Sequence, residues 1–233
     1  MKLPFFYISQ YDGVQKEIVL DEDTSKHVVQ VLRMKAGELL NLTDGKGNLL
    51  TCEISEDNKK HCTVSVTGKT LKAQNTKRTC IAISLLKNTN RFEWFLEKVT
   101  EIGVNEIVPL ICKRTEKEKF RYDRLNGICI SAMVQSQQCW LPVLHQPMDF
   151  NKSIMLSASN QKFIAHCDEG PKNQLANEPI NQSSLILIGP EGDFTATEIG
   201  LALQNGFQPV SLGETRLRTE TAGVVAASLL MNC

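Results

Sequence analysis

The sequence has no apolar run near the roughly 18 residues that cross a bilayer, and Met1-Lys2-Leu3-Pro4 does not open a secretory signal. The expectation is a cytoplasmic protein with no membrane partner. It also lacks an excess charge of either sign, with Lys plus Arg and Asp plus Glu at 26 each. No overall basic field exists, so a nucleic-acid partner has to be held by a local patch. None of the eight cysteines forms a CxxC pair, and most sit in apolar segments, which points to buried free thiols and away from zinc or disulfides. No GxGxxG follows a strand and no GxxxxGK[ST] occurs, which sets aside dinucleotide and P-loop sites. GxSxG, HExxH and EF-hand patterns are missing too, so no metal is expected and most hydrolase chemistry falls away.

What remains is a globular chain of 233 residues, 42% hydrophobic, enough for one large domain or two modest ones. The first 70 residues read as strands. Phe5-Phe6-Tyr7-Ile8 is one, and Glu38–Leu42 and Leu49–Ile54 face each other across Asp44-Gly45-Lys46-Gly47-Asn48, a hairpin signal. His61–Val66 supplies another, and Val28, Val31 and Leu32 predict one short helix over Thr24 to Met34. A small barrel or closed sheet is the economical solution. Lys69 to Arg78 is polar and aperiodic, and the domain boundary is placed there.

Beyond it the pattern becomes alternating strand and helix. Cys80–Leu86 is a buried strand, and Asn88, Thr89 or Asn90 can cap a helix with Phe92, Phe95, Leu96, Val99 and Ile102 on one face. Gly103 closes it, and Glu106–Ile111 is the next strand, making a βαβ unit and hence a mostly parallel sheet. Leu125 to Ser136 is a second helix, Lys162–His166 another strand, and Asp168 to Ser183 a polar loop. Thr195 and Glu198 form a capping box, with Phe194 and Ile199 as its staple and Gly206 as the stop. A final helix from about Glu220 to Met231 is apolar nearly all round, so it belongs in a core or against a partner subunit.

Two strand-to-turn stretches stand out: Leu187-Ile188-Gly189-Pro190-Glu191-Gly192, and Leu212-Gly213 followed by Leu217-Arg218-Thr219-Glu220-Thr221-Ala222. Taken singly, each glycine reads as a tight turn. As an ordered pair they resemble the cofactor signature of the SPOUT methyltransferases, and more narrowly the ribosomal RNA small subunit methyltransferase E family, which methylates N3 of a uridine in 16S rRNA. His27–Arg33 resembles that family's N-terminal motif. Lys87, Arg91, Lys98–Val104, Pro109 and Arg114 resemble its central block, and Gln135-Ser136 with Leu141-Pro142 the following helix end. Asp193 stands where glycine is common, Thr215 where an arginine often precedes the last motif, and Gln138 where a basic residue is usual.

The resemblance implies an α/β protein with a PUA-like RNA-binding β-barrel over 1–70 and a SPOUT methyltransferase domain with a trefoil knot over 76–233. It further implies a homodimer that uses S-adenosylmethionine on 16S rRNA or the small ribosomal subunit. Leu187, Ile188, Gly189, Pro190, Gly192, Leu212, Gly213, Leu217, Arg218, Thr219, Thr221 and Ala222 would form the cofactor site. Glu191 either holds its turn or touches the ligand, and His166 either lines the site or is structural. Arg218 is the candidate for stabilising charge on the uracil carbonyls as N3 loses its proton. Glu220 either takes that proton or caps the last helix. Arg33, Lys87, Arg91 and Arg114 are the expected RNA contacts, with Lys113, Lys117, Lys119, Arg121 and Arg124 either extending the patch or solvating a loop.

Overall fold

The protein is described by a computed structural model over residues 3–116, 119–155 and 161–231, so Lys117 of the expected basic patch and Cys233 lie outside the described residues. Two compact units divide the chain. One holds the residues up to Gln74 together with Met133–Leu141, and the other holds Asn75–Ala132 and the described residues from Pro142 on.

The first unit is built on a five-stranded sheet. Its strands are β1 (Phe5–Tyr7), β2 (Glu17–Val19), β3 (Leu39–Thr43), β4 (Asn48–Glu56) and β5 (Thr63–Leu71), ordered β1-β3-β4-β5-β2. Only β1 pairs in parallel, setting Phe5 opposite Asn41, and the others are antiparallel. Two register shifts, at Thr51/Cys52 and Ile54/Glu56, bend β4 in the manner of bulges. Alternate residues Leu40 and Leu42, then Leu50, Cys52 and Ile54, point into one core with Val28 and Val64. The hairpin turns as its sequence requires, because the Asp44 carboxylate accepts from Lys46 N (2.9 Å) and from Asn48 Nδ2 (2.7 Å).

The single helix expected over Thr24 to Met34 is two pieces. Helix α1 (Glu22–Lys26) is capped by Asp21, whose side chain accepts from Thr24 N, and a π-helical turn over His27–Val31 follows it. The wider turn rotates Val28 into the core and leaves Val31 and Leu32 exposed, which the 3.6-residue period does not anticipate. Arg33 then takes a left-handed backbone, φ 57.

The second unit is an eight-stranded sheet. Its elements are β6 (Thr79–Ser84), α2 (Thr89–Ile102), β7 (Glu106–Ile111), α3 (Tyr122–Gln135), β8 (Val143–Leu144), β9 (Met148–Asp149), α4 (Phe150–Ser153), β10 (Gln161–Ala165), β11 (Asn173–Gln174), β12 (Ser184–Ile188), α5 (Ala196–Gln204), β13 (Gln208–Ser211) and α6 (Thr219–Met231). The strand order is β11-β13-β10-β12-β6-β7-β8, with β9 also on β7, and every pairing is parallel. Strands β6 and β12 are buried along their whole length, as continuous apolar runs are when helices cover both faces. Asn88 caps α2 by accepting from Asn90 N, and Gly103 ends it at φ 97. Thr195 and Glu198 form the full reciprocal capping box of α5. The stretch expected to be a polar loop contains β11 and a short 3-10 turn at Leu175–Asn177, whose Leu175 is fully buried. Helix α6 returns across β6 and α2.

Candidate active site

Three neighbouring strands, β13, β10 and β12, run in parallel and end together. At their carboxyl ends lies a cleft of about 770 Å³, where open parallel sheets take ligands. The chain leaving β12 supplies Gly189, Pro190 and Glu191, and that leaving β13 supplies Leu212, Gly213, Leu217 and Arg218. His166 directly follows β10, and Thr219 and Ala222 come from the first turn of α6. Ile188, Leu212 and Leu217 give it apolar surface beside the polar groups of these turns.

Each turn has a local reason for its shape. A Cβ on Gly189 would meet the Phe194 ring at 3.1 Å and Asp193 Oδ1 at 3.2 Å, so a side chain there would press on both. Gly213 sits at φ 139, a region L-residues avoid. Asp193 takes the left-handed conformation (φ 63) that glycine would adopt without cost. Its side chain holds it there: Oδ2 accepts from Cys167 N and Oδ1 from Phe194 N, both at 2.7 Å. That bracing links the end of β10 to the turn after β12.

His166 carries the clearest sign of a ligand site. Both of its ring nitrogens are buried without a hydrogen-bond partner, in a side chain that lines the cleft. Burial, reinforced by the Lys172 ammonium, pushes its pKa below the usual histidine value and favours neutral imidazole. Lys172 itself is fixed by donating to the carbonyls of His166 (2.9 Å) and Asp168 (2.6 Å).

The expected cofactor residues divide. Ile188, Gly189, Pro190, Glu191, Leu212, Gly213, Leu217, Arg218, Thr219, Ala222 and His166 line the cleft, whereas Leu187, Gly192 and Thr221 stand outside its lining. Leu187 is core, fully buried. Lining residues that the sequence did not single out include Lys172, Glu214 and Arg216. Lys172 was hidden in a polar run with no periodicity, and only the pairing of Asn173 with Val210 brings that run to the cleft.

Of the two expected catalytic groups, Arg218 is exposed at the cleft and Glu220 is not part of its lining. Glu220 is only 8% exposed, in the first turn of α6, with Oε1 3.6 Å from Arg91 Nε. A carboxylate in that place complements the helix N-terminus and the guanidinium together. Several of the other expected cations are also engaged with protein partners. Lys87 Nζ lies 2.7 Å from Glu116, and Lys87 N donates to Glu191 Oε1 at 3.3 Å. Arg114 Nη1 donates to the carbonyls of Gly192 (2.7 Å) and Phe194 (3.3 Å). Arg124 is paired with Glu93 through two bonds, and Lys113 gives its backbone N–H to Glu198. Arg33 is exposed in the other unit.

A second, shallower hollow is lined by Lys87, Asn88, Arg91, Glu116 and Glu191. Glu191 therefore borders both it and the cleft. One thiol, Cys167, borders the cleft, where burial and the Asp193 carboxylate push its pKa above the usual thiol value and favour the protonated form. Burial pushes Cys80 and Cys112 up to about 12 and Cys52 and Cys129 up to about 11, which keeps them protonated. Among the described residues no His, Cys, Asp and Glu cluster suits a metal ion, and no helix is long and apolar enough to cross a membrane.

Known proteins share this architecture. Residues 73–231 match the profile of an RNA methyltransferase domain, and residues 20–67 that of an RNA methyltransferase PUA domain. The ribosomal RNA small subunit methyltransferase E of a Synechocystis strain is 29% identical over 91% of this chain and 72% of its own. A crystal structure of a probable rRNA-methyltransferase from Porphyromonas gingivalis superposes with a TM-score of 0.91, at 40% identity over 99% of each chain. A ribosomal RNA small subunit methyltransferase E from Neisseria gonorrhoeae, bound to S-adenosyl methionine, gives 0.87 at 28% identity over 99% of this chain and 97% of that one. With a matching domain over most of its length and the loop signature in place at the strand ends, the chain belongs to the ribosomal RNA small subunit methyltransferase E family of RNA methyltransferases.

Proposed function

We propose that this chain is an S-adenosylmethionine-dependent methyltransferase that modifies N3 of a uridine in 16S rRNA, working in the cytoplasm as a homodimer. One observation carries the reading: the cleft beyond the strand ends shares its Glu191 wall with a hollow edged by Lys87 and Arg91. A small cofactor and a nucleotide can then meet from two sides of one loop.

The residues present suit the cofactor. Ile188, Leu212 and Leu217 offer apolar surface to an adenosine, and the buried, unpartnered ring nitrogens of His166 offer one acceptor and one donor to a polar ligand. When bound, S-adenosylmethionine supplies a methyl group on a sulfonium leaving group. The protein's share of the work is then positioning and charge. A uracil N3 must shed its imide proton before its lone pair can attack, and the negative charge spreads onto the flanking carbonyl oxygens. Arg218, exposed at the cleft, is assigned to those oxygens, and the proton passes to water. Glu220 is assigned to the end of α6 and to Arg91, because its burial takes it out of the cleft wall. Lys87 and Arg91 would meet phosphate or the target base, and Arg33 would meet RNA from the other unit.

The trefoil knot belongs to this reading. It is supported by the chain passing from β13 through residues 212–218 and then back over β6 and α2 as α6. Val224, Val225 and Leu229 remain half-buried on that apolar helix, which supports a homodimer through it. Incubating the protein with labelled cofactor and small-subunit RNA, then resolving the nucleosides by mass spectrometry, tests the activity. N3-methyluridine is the expected product. Ribose 2'-O-methylation would overturn the assignment of the target atom, and no methylated nucleoside at all would overturn the enzymatic reading.

A further inference from the structure

We infer that Arg114 is a positioning residue for the cofactor loop, holding residues 189–194 in shape from the side away from the ligand; the inference rests on the methyl-transfer reading above. Its family position and positive charge suggest a contact to RNA, but its Nη1 is already engaged within the protein. Nη1 donates to the carbonyls of Gly192 at 2.7 Å and of Phe194 at 3.3 Å. These two carbonyls flank Asp193, the left-handed residue on which the loop reverses. One guanidinium therefore bridges the two peptide units on either side of the bend.

The backbone that delivers Arg114 is pinned on both flanks. Lys113 N donates to Glu198 Oε1 at 2.8 Å, and Glu198 is the buried carboxylate of the α5 capping box. On the other flank Thr115 Oγ1 accepts from Cys112 N at 2.8 Å and lies 2.9 Å from Ser84 Oγ, at the end of β6. The aliphatic part of the side chain is fitted as well. A Cβ on Gly192 would come within 3.3 Å of Arg114 Cδ and 3.6 Å of its Cβ, so glycine there leaves room for the arginine stem. On the opposite side of the same short loop, Gly189, Pro190 and Glu191 line the cleft. The chain after β7 and the chain after β12 are thus stitched together, and the stitch sets the geometry of the ligand-facing half.

Charge-assisted bonds to carbonyls are among the stronger ones, and removing the donor leaves both carbonyls to water or to a rearranged loop. The cost should therefore fall on cofactor affinity. Titration calorimetry with S-adenosylhomocysteine, alongside steady-state kinetics with small-subunit RNA, separates the alternatives. For Arg114→Ala the expected result is a Kd weakened about tenfold, equivalent to about 1.4 kcal/mol. The RNA KM should stay unchanged, and kcat at saturating cofactor should stay within about threefold of wild type. Arg114→Lys, which keeps one cationic donor, should recover part of the loss. Thr115→Val, which loosens the segment without touching the loop, should weaken cofactor binding in the same direction and supplies the test if Arg114→Ala does not fold. An unchanged cofactor Kd with a raised RNA KM would overturn the inference and make Arg114 an RNA contact. An unchanged Kd in both Arg114→Lys and Thr115→Val would overturn it too. A wild-type chain that binds no cofactor would instead bring down the methyl-transfer reading, and this inference with it.

Discussion

Replacing Gly223 by alanine asks how tightly α6 is set into its sheet. In an open helix the substitution stabilises by about 1 kcal/mol, because glycine carries the larger backbone entropy cost. At Gly223 there is no room. An added Cβ would lie 2.5 Å and 2.8 Å from two carbons of the Phe95 ring and 2.9 Å from Ile83 Cδ1. Phe95 and Ile83 are both fully buried, so neither can swing into solvent. Forcing a methyl into a packed core costs about 1–3 kcal/mol, and three contacts below 3 Å on buried side chains put this site at the upper end, about 2–3 kcal/mol. Against the helical gain, the net destabilisation expected is about 1–2 kcal/mol, or a fall in Tm of about 2–8 °C for a chain of this size. Gly200 in α5 is the control, since nothing lies within 4 Å of its added Cβ. Gly200→Ala should raise stability by about 1 kcal/mol. Urea unfolding followed by circular dichroism, with both variants beside wild type, reads the two signs. If Gly223→Ala is as stable as wild type or more so, the close seat of α6 on α2 and β6 is wrong. If Phe95→Leu in the Gly223→Ala background restores the loss, the ring is the obstacle.

Arg218→Ala should keep the fold and lose turnover by roughly 100-fold while cofactor Kd moves far less; equal turnover in rapid-quench assays would remove Arg218 from the chemistry. Cys167 is the only exposed cysteine among those described, and it borders the cleft. Ellman's reagent on native protein should therefore label Cys167 first, with bound cofactor slowing it, and peptide mapping that finds a buried cysteine labelled as fast would contradict the packing. Because burial lowers the His166 pKa, the unfolded chain binds a proton there more readily than the folded one. Stability is then undiminished above the ordinary histidine pKa and falls as pH drops below it towards the folded value. His166→Gln should flatten that part of the stability profile, and an unchanged acid slope would show that His166 is not desolvated.

The elements legible in the sequence are those whose signal is local. The apolar run at Thr79–Ser84, the α2 face of Phe92, Phe95, Leu96 and Val99, the Asn88 and Gly103 ends and the Thr195–Glu198 box each need only a few neighbouring residues. The two glycine turns were visible for the same reason, and they line the cleft. What escaped depends on residues far apart. Strand β2 has one buried residue, Ile18, and β11 has none, so neither leaves an alternating pattern. Met133–Leu141 returns to the first unit, where Trp140 Nε1 donates to the carbonyl of Lys72, and no composition shift marks that return. The engagement of Arg114 with carbonyls 78 and 80 residues later is likewise invisible in a linear reading. Glu220 is another case. Its type left both a base and a helix cap open, and its burial beside Arg91, which bears on that choice, cannot be read from the linear sequence.

The cleft's bracing also has a consequence for synthesis. One wall comes from chain that is complete by residue 193, but the rest needs residues 210–222, which are made later. A nascent or clipped chain ending at Ser211 would carry the GPEG turn and the His166 ring and still enclose nothing. A cleft with both walls therefore waits on residues 210–222, and products cut short before them lack one side of it.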